Sequence, residues 1–202
     1  MNDRSFSDWI RQVRSGEHLG SFPTDTLPAL ATVPASAELI YQTKGRSLEK
    51  PLILMAGEVD DLWSYLAGSE AEREIWRLMM MQYFPGAVTL VLPSSDRVSP
   101  KMNPINPGTI GVRVPNYEPA RTLLRETGPL ATTSVNRSGE PALLTVSEIR
   151  KQFPTVLTLS DDALRSIGVV DPFVKADGIP STVVRWTLGG WEVLRQGKTV
   201  VG

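Results

Sequence analysis

The sequence contains no cysteine and a single histidine, and these absences remove several classes of chemistry. Among its 202 residues the only histidine is His18. Disulfides, iron–sulfur clusters, thiolate zinc sites and cysteine nucleophiles are therefore excluded. One chain cannot build a multi-histidine metal site, and a serine–histidine triad would have to use His18. Any reaction must depend on the remaining polar side chains, backbone amides or a bound hard cation.

The sequence also lacks a strong net charge and a long apolar run. The 21 Lys and Arg residues oppose 22 Asp and Glu residues, so attraction of the whole surface to nucleic acid is not implied. No run approaches the roughly 20 apolar residues of a membrane span, and the polar N-terminus has no signal-peptide core. We therefore expect a cytoplasmic protein with no membrane partner, and the length predicts a single domain, 1–202.

Predicted strands and helices alternate along most of the chain, with a hairpin at the end. Helices are predicted near 6–13 and over 34–43, 58–65, 69–83, 118–127 and 145–153. Strands are predicted over 18–22, 51–55, 87–92, 109–114, 129–134, 156–159, 181–186 and 191–195. Residues 94–108 are predicted as a loop and 161–177 as a polar connection. This pattern predicts an α/β fold with a mixed sheet.

Helix 69–83 is rich in apolar residues, and its spacing suggests which of them are buried. The predicted buried face carries Ile75, Leu78, Met79 and Gln82. The methionines nearby are interpreted as core filling rather than as a metal site.

One apparent nucleotide motif fails on its spacing. Gln196-Gly197-Lys198-Thr199 resembles the end of a phosphate-binding P-loop. That motif needs a glycine five residues before its second glycine, and Glu192 occupies the position. We reject a P-loop here.

Two of four remaining polar segments lie in the first quarter of the chain. Thr24-Asp25-Thr26 follows a predicted strand and could bind the ammonium or carboxylate group of an amino acid, although a turn with side-chain-to-backbone bonds is the commoner outcome. Lys44, Arg46 and Lys50 lie between a predicted helix and a strand. They could neutralise a triphosphate or form a solvated basic loop.

The other two segments lie on strands in the middle of the chain. Arg113 interrupts an apolar strand, where it must either point to solvent or find a partner such as a phosphate. Ser134, Asn136, Ser138 and Gly139 follow a buried strand, where α/β sheets place ligands, and a capped turn is the alternative.

Taken in order, these segments resemble the signatures of the YrdC-like family of threonylcarbamoyl-AMP synthases, in its short single-domain form. The resemblance covers roughly residues 17–198. The matching segments are Thr24-Asp25-Thr26, Lys44-x-Arg46 with Lys50-Pro51-Leu52, Phe84-Pro85-Gly86 with Val88-Thr89-Leu90, Val112-Arg113-Val114-Pro115, Thr133-Ser134-x-Asn136-x-Ser138-Gly139, Pro180-Ser181-Thr182-Val183-Val184 and Leu194-Arg195-x-Gly197.

The resemblance implies a fold and a reaction. The fold would be a twisted mixed α/β sheet with flanking helices around one positively charged cavity. The reaction would join L-threonine, bicarbonate or CO2, and ATP with Mg2+ into threonylcarbamoyl-AMP and pyrophosphate. A separate tRNA-modifying transferase complex would then pass the threonylcarbamoyl group to an adenosine of certain tRNAs.

The resemblance also implies roles for individual residues, none of them a nucleophile. The phosphates and the nucleotide would be held by Lys44, Arg46, Lys50, Ser134, Asn136 and Arg195. Threonine or its carbamate would be held by Thr24, Thr26, Arg113 and Ser181. Mg2+ would be held largely by phosphate oxygens and water rather than by protein side chains.

The sequence departs from the family pattern at three places. Leu27-Pro28-Ala29 replaces a run that commonly has an aromatic residue and a glycine, Val135 replaces a small alanine, and Arg185 replaces an acidic residue. These departures affect the expected substrate pocket more than the phosphate site. They leave open a non-catalytic factor on the same fold that binds tRNA or double-stranded RNA during ribosome assembly. A carbamoyl-AMP-forming enzyme would normally require further domains.

Overall fold

The computed structural model describes residues 3–170 and 178–202, which form a mixed sheet flanked by helices. The strands are β1 (Asp3–Arg4), β2 (Gly20–Phe22), β3 (Ala29–Thr32), β4 (Ile53–Met55), β5 (Val88–Pro93), β6 (Thr109–Arg113), β7 (Leu130–Ser134), β8 (Leu157–Leu159), β9 (Thr182–Thr187) and β10 (Gly190–Arg195). The helices are α1 (Phe6–Arg14), α2 (Glu38–Lys44), α3 (Glu70–Tyr83), α4 (Glu118–Thr127), α5 (Val146–Gln152) and α6 (Asp161–Ser166). Within the described ranges, no helix has the length and apolar character needed to cross a bilayer.

The strand order is β1-β8-β2-β3-β7-β4-β6-β5-β9-β10. Parallel pairs (β1 with β8, β2 with β8, β4 with β6, β5 with β9) mix with antiparallel ones. The mixed sheet and the C-terminal hairpin, β9 with β10, are therefore confirmed.

Local signals in the sequence explain where several helices begin and end. Thr145 and Glu148 form the predicted capping box of α5. Helix α2 ends at Gly45, whose φ of 59° is left-handed and suits glycine. That ending turns the chain away from α2 into the segment before β4.

Neighbouring residues of the central strands point to opposite faces of the sheet, because side chains alternate along a strand. Leu54, Leu90 and Val112 belong to a core cluster that packs against Ile40 of α2 and Trp76 of α3. This face of the sheet is closed by helices.

The other face is only partly covered. Trp9 of α1 and Leu123 of α4 pack with Phe22, Met55 and Leu130 in a second apolar cluster. These helices cover the part of the face around β8, β2 and β3. The remaining part, over β7, β4, β6 and β5, borders a cavity.

Three predictions about secondary structure were wrong. Strands β1 and β3 were not predicted; the four residues of β3 are all buried, so they show no alternation. The helix predicted over 58–65 is a 3-10 helix, Asp60–Tyr65. Part of the predicted polar connection is α6, which Ser160 caps by accepting a bond from the Ala163 amide. Residues 171–177 of that connection lie outside the described residues.

The predicted buried face of α3 was also wrong, except for Met79. Trp76 and Met80 are buried with it, whereas Ile75 and Leu78 are 41% and 60% exposed. Between positions 75 and 81 the helix carries its own apolar side chains on all sides, so their spacing alone does not show which face is buried. The bulky indole of Trp76 takes the core position.

Candidate functional site

The open part of the sheet forms the floor of a cavity of about 690 Å3. Thr132, Ile53, Gly111 and Val91 pair in register across four adjacent strands and form one row of this floor. A Cβ at Gly111 would lie 3.3 Å from the Thr89 methyl carbon and 3.6 Å from Ile53 Cγ1. Because residue 111 is a glycine, no side chain projects from the middle of the floor into the cavity.

Loops and strand ends from distant parts of the chain form the walls. Of the residues predicted to form the site, seven line the cavity: Thr26, Arg46, Lys50, Arg113, Ser134, Ser181 and Arg195. Four of these are cationic, and Glu49 is the acidic residue among the described lining residues. The lining therefore has an excess of positive charge.

Arg113 is paired within the protein rather than exposed to solvent, and it is 4% exposed. Its Nη2 donates to Asp25 Oδ1 at 2.6 Å, Nη1 to Thr26 Oγ1 at 2.9 Å, and Nε to Gly86 O at 3.0 Å. We call these four residues the Arg113 cluster. Burial lowers the pKa of the Arg113 guanidinium, and the facing Asp25 carboxylate opposes that shift. The cluster fixes a buried cation beside the cavity.

Thr24 supports the loop between β2 and β3 but does not line the cavity. Its hydroxyl donates to Leu27 O at 2.8 Å and accepts from the Thr26 amide at 3.1 Å. The expected alternative, a turn closed by side-chain-to-backbone bonds, is therefore present. Thr24 shapes the loop on which Thr26 meets Arg113.

The departure at Leu27-Pro28-Ala29 lies on the cavity wall. Leu27 and Ala29 line the cavity, whereas Pro28 immediately precedes β3, where the sheet ladder needs no amide. Pro28 O accepts from the amide of Val135, which is fully buried. The departures thus change the apolar surface of the wall and leave the strand pairing intact.

A pair of buried hydroxyl groups lies where β5 meets the start of β9. Thr89 Oγ1 and Ser181 Oγ are 2.9 Å apart, and both residues line the cavity. Arg195 Nη2 donates to Ser181 O at 2.6 Å. Burial lowers the pKa of Arg195. A guanidinium group and two hydroxyls therefore meet at this point of the wall.

The segment from Arg46 to Pro51, which we call the basic loop, is held mainly by its own arginine. Arg46 Nε donates to Lys50 O at 2.9 Å and Nη2 to Pro51 O at 3.0 Å. Burial is the main cause that lowers the pKa of Arg46. Lys50 lines the cavity, and its ammonium group has no hydrogen-bond or ion-pair partner among residues 3–170 and 178–202.

Lys44 and Asn136 lie behind the wall instead of in it. Lys44 is 2% exposed, and its Nζ donates to Ser134 O and, at 3.0 Å, to Asn136 Oδ1. Ser134 Oγ also donates to Asn136 Oδ1, at 2.7 Å. Burial, with the positive charges of Arg46 and Lys50, lowers the pKa of Lys44 to about 7. The structure thus brings Lys44, Ser134 and Asn136 together, with Ser134 alone of the three reaching the cavity lining.

Several lining residues were not predicted as site residues. They are Thr89, Asn103, Thr109, Thr132 and Thr133. Asn103 is buried and donates to Thr109 O at 3.2 Å. Thr89 and Val91 alternate with core residues of β5, so period-two spacing was a usable signal once the strand was placed.

Among the residues that the structure describes, no three His, Cys, Asp or Glu side chains cluster as metal ligands. Glu49 supplies the carboxylate of the described lining. A hard cation such as Mg2+ prefers several oxygen ligands, so in this cavity it would depend mainly on oxygens brought by a ligand and on water.

Comparisons with known proteins identify the family and the fold. Residues 12–197 match the Sua5_yciO_yrdC family model, described as telomere recombination. A threonylcarbamoyl-AMP synthase of Rattus norvegicus is 33% identical over 156 residues, which are 75% of this chain and 53% of that protein. One of Chromohalobacter salexigens is 32% identical over 162 residues, 78% of this chain and 85% of that protein.

A solved structure shows the same fold. P. abyssi Sua5 complexed with L-threonine superposes with a TM-score of 0.78 at 25% identity, covering 95% of this chain and 54% of that one. The chain thus spans about half the length of the rat and P. abyssi proteins. The resemblance noted from the motifs is confirmed, and the chain belongs to the Sua5/YciO/YrdC family.

Proposed function

We propose that this protein is an L-threonylcarbamoyladenylate synthase, a nucleotidyltransferase. It joins L-threonine, bicarbonate or CO2, and ATP into threonylcarbamoyl-AMP and pyrophosphate. The observation that carries the proposal is one cavity with two kinds of cation, a buried paired one in Arg113 and an exposed one in Lys50 of the basic loop. The names of the relatives and the threonine bound to P. abyssi Sua5 support it.

The Arg113 cluster is suited to an amino acid. A guanidinium group has five N–H donors, and Arg113 uses three of them on Asp25, Thr26 and Gly86. Two donors remain for a carboxylate, and the hydroxyls of Thr26 and Ser181 can bind other polar groups of the same molecule. Because the cation is already fixed by its partners, little entropy is lost when the substrate binds.

The basic loop and Arg195 are suited to a nucleotide polyphosphate. Arg46, Lys50 and Arg195 bring three positive charges to the same cavity as Arg113. Charge-assisted bonds to phosphate oxygens are stronger than neutral ones. The cavity volume of about 690 Å3 lies within the ordinary range for ligand pockets.

The proposed reaction needs no nucleophile from the protein. The threonine amine, having lost a proton, attacks the carbon of CO2 and forms a carbamate. A carbamate oxygen then attacks the α-phosphorus of ATP, and the bond to pyrophosphate breaks. The protein contributes positioning and neutralisation of the developing charge, which are the main requirements of phosphoryl and nucleotidyl transfer. Mg2+ enters with ATP, held by phosphate oxygens and water.

The product is proposed to serve tRNA modification. An acyl adenylate is an activated group, so a separate transferase complex would consume it on tRNA. Direct binding of tRNA or double-stranded RNA without catalysis is the alternative.

Pyrophosphate release from ATP tests the proposal. We expect release that needs both L-threonine and bicarbonate, with the adenylate detected by mass spectrometry. At subsaturating ATP, the same assay on Lys50→Ala should show release slowed on the order of tenfold, because one charge-assisted bond to phosphate is lost. ATP binding without turnover in the presence of both substrates would sink the synthase proposal, and salt-dependent RNA binding would then become the leading function.

A further inference from the structure

Lys44 is buried behind the cavity wall, and the proposed reaction assigns no role to a lysine in that position. It is the last residue of α2, immediately before the left-handed Gly45. Its ammonium group points at the turn that follows β7, which we call the 134–140 turn. Ser134 at the start of this turn lines the cavity, whereas Lys44 is outside the lining.

Lys44 both donates hydrogen bonds to the 134–140 turn and accepts one from it. Lys44 Nζ donates to Ser134 O and Asn136 Oδ1, and the Ser138 amide donates back to Lys44 O at 3.1 Å. Asn136 Nδ2 completes the turn by donating at 2.8 Å to Arg137 O and to Glu140 O. Without Lys44, Ser134 O and Asn136 Oδ1, which are partly buried, would lose a charged donor, and the loss of such a donor is costly.

Among residues 3–170 and 178–202, the charged groups that act on Lys44 do not include a carboxylate. Arg46 and Lys50, both positive, act on it from the basic loop. On α2, Glu38 pairs with Lys101, and in the turn Glu140 pairs with Gln152. Arg137 lies over the ring of Phe153. Lys44 is therefore a buried ammonium group whose partners are the neutral oxygens of one turn.

We propose that Lys44 is a positioning residue that anchors the 134–140 turn from behind and so keeps Ser134 in the cavity wall. It acts on a bound nucleotide through Ser134 and Asn136 and does not itself contact phosphate. The inference rests on the proposed function only in taking ATP as the ligand of that wall. It therefore needs one measurement without ligand and one with ATP.

The measurement without ligand is amide hydrogen exchange in Lys44→Met. We expect exchange in peptides that cover the 134–140 turn to accelerate on the order of tenfold or more, since opening of this segment loses its anchor. Exchange in the basic loop should not change. Lys50→Met is the matched control, because it removes a neighbouring lysine that touches no part of the turn, and it should leave exchange in the turn unchanged.

The measurement with ATP is a double-mutant cycle by calorimetry. Lys44→Met and Asn136→Ala should each weaken ATP binding on the order of tenfold, the loss expected when a charged hydrogen bond is removed. The double variant should bind about as weakly as either single variant, since both remove the same support. Lys50→Met combined with Asn136→Ala should instead show losses that multiply.

The pH dependence of ATP affinity separates this role from a purely structural one, which would not make ATP affinity follow the protonation of Lys44. ATP affinity of the wild-type protein should fall as the pH rises through about 7, where Lys44 loses its proton. In Asn136→Asp a carboxylate faces the ammonium group and raises its pKa, so the fall should move to higher pH. Lys44→Met should lack this inflection.

Two results would overturn the inference. One is a double variant, Lys44→Met with Asn136→Ala, whose loss of ATP affinity is the product of the two single losses. That result would mean that Lys44 contacts the phosphates directly. The other is unchanged exchange in the turn of a folded Lys44→Met variant. If the wild-type protein does not bind ATP, the proposed function fails and the exchange data still decide the role of Lys44. If Lys44→Met does not fold, the pH profile of Asn136→Asp decides it.

Discussion

The Arg113 cluster and the basic loop bring positive charge to the same cavity by opposite means. Arg113 is buried with an ion pair to Asp25, and its other partners, Gly86 O and Thr26 Oγ1, belong to the folded backbone and a neighbouring loop. Lys50 is exposed and, within the described part of the chain, unpaired, while Arg46 bonds only to carbonyls of its own loop. A cation removed from water needs a partner, whereas a solvated cation does not.

The two regions would suit the two unlike substrates of the proposed reaction. A fixed, paired guanidinium offers its remaining donors in one geometry, which suits a small molecule with a single carboxylate. A solvated lysine on a loop attracts a polyanion over a longer distance and adapts to it, at the cost of sensitivity to salt. Substitutions of Arg113, Lys50 and Thr24 test this difference between the two regions.

Arg113→Met should have the largest effect, because it removes half of a buried ion pair. Breaking such a pair typically destabilises a protein by about 3–5 kcal/mol, since the Asp25 carboxylate is left without its cation. Denaturant unfolding should show this loss, together with the disappearance of threonine-dependent pyrophosphate release.

A second variant separates folding from function at this position. Arg113→Met combined with Asp25→Leu has no unpaired charge and should regain much of the lost stability, because apolar replacement of a buried pair is often neutral. It should still release no pyrophosphate. Wild-type stability of the single variant would show that the cluster is not a stabilising buried pair.

Lys50→Met should have the next largest effect, and it should leave the fold untouched. A surface substitution usually changes stability by less than about 0.5 kcal/mol. ATP binding should weaken on the order of tenfold through loss of a charge-assisted bond. The dependence of ATP affinity on salt should become shallower, while threonine affinity stays the same.

The matched control for that variant is Lys151→Met, an exposed lysine in the last turn of α5 that does not line the cavity. It should bind ATP like the wild type. Equal losses of threonine and ATP affinity in Lys50→Met would erase the distinction between the two regions.

Thr24→Ala should have the smallest effect. It removes three hydrogen bonds within the loop that carries Thr26, to Leu27 O, the Thr26 amide and the Thr26 hydroxyl, at a cost of about 1 kcal/mol each at most. We expect a small drop in melting temperature and a severalfold rise in the KM for threonine, with no change in ATP affinity. Thr24→Ser keeps the hydroxyl and should match the wild type; a rise in its KM would point to the methyl group instead.

The family resemblance indicated more of the cavity lining than the polar segments did by themselves. It implied site roles for Lys50, Arg46 and Arg195, and all three line the cavity. From the residues alone, Arg46 and Lys50 could equally have belonged to a solvated basic loop. Lys44 has the same chemistry and a similar position in sequence, yet it is buried. Only the packing of α2 against the 134–140 turn separates the two lysines, and no local pattern records that packing.

The lining of the sheet was predictable in principle but needed the strand order. Thr89 and Gly111 each alternate with core residues, so their strands show which residues share a face. Which of the two faces is covered by helices depends on where α1 and α4 pack, and this follows from tertiary contacts. All four residues of β3 are buried, so this strand lacks the alternation of buried and exposed residues that helps to predict a strand.

The order of strands in the sheet has a consequence for how the protein matures. The cavity is lined by residues from Thr26 to Arg195, and β5 lies between β6 and the late strand β9. During synthesis, the binding site cannot exist until Arg195 has left the ribosome and β9 has docked. A ligand that binds this cavity in the folded protein alone would stabilise the folded state by mass action. The fraction of newly made chains that stay folded would then rise with the free concentration of that ligand.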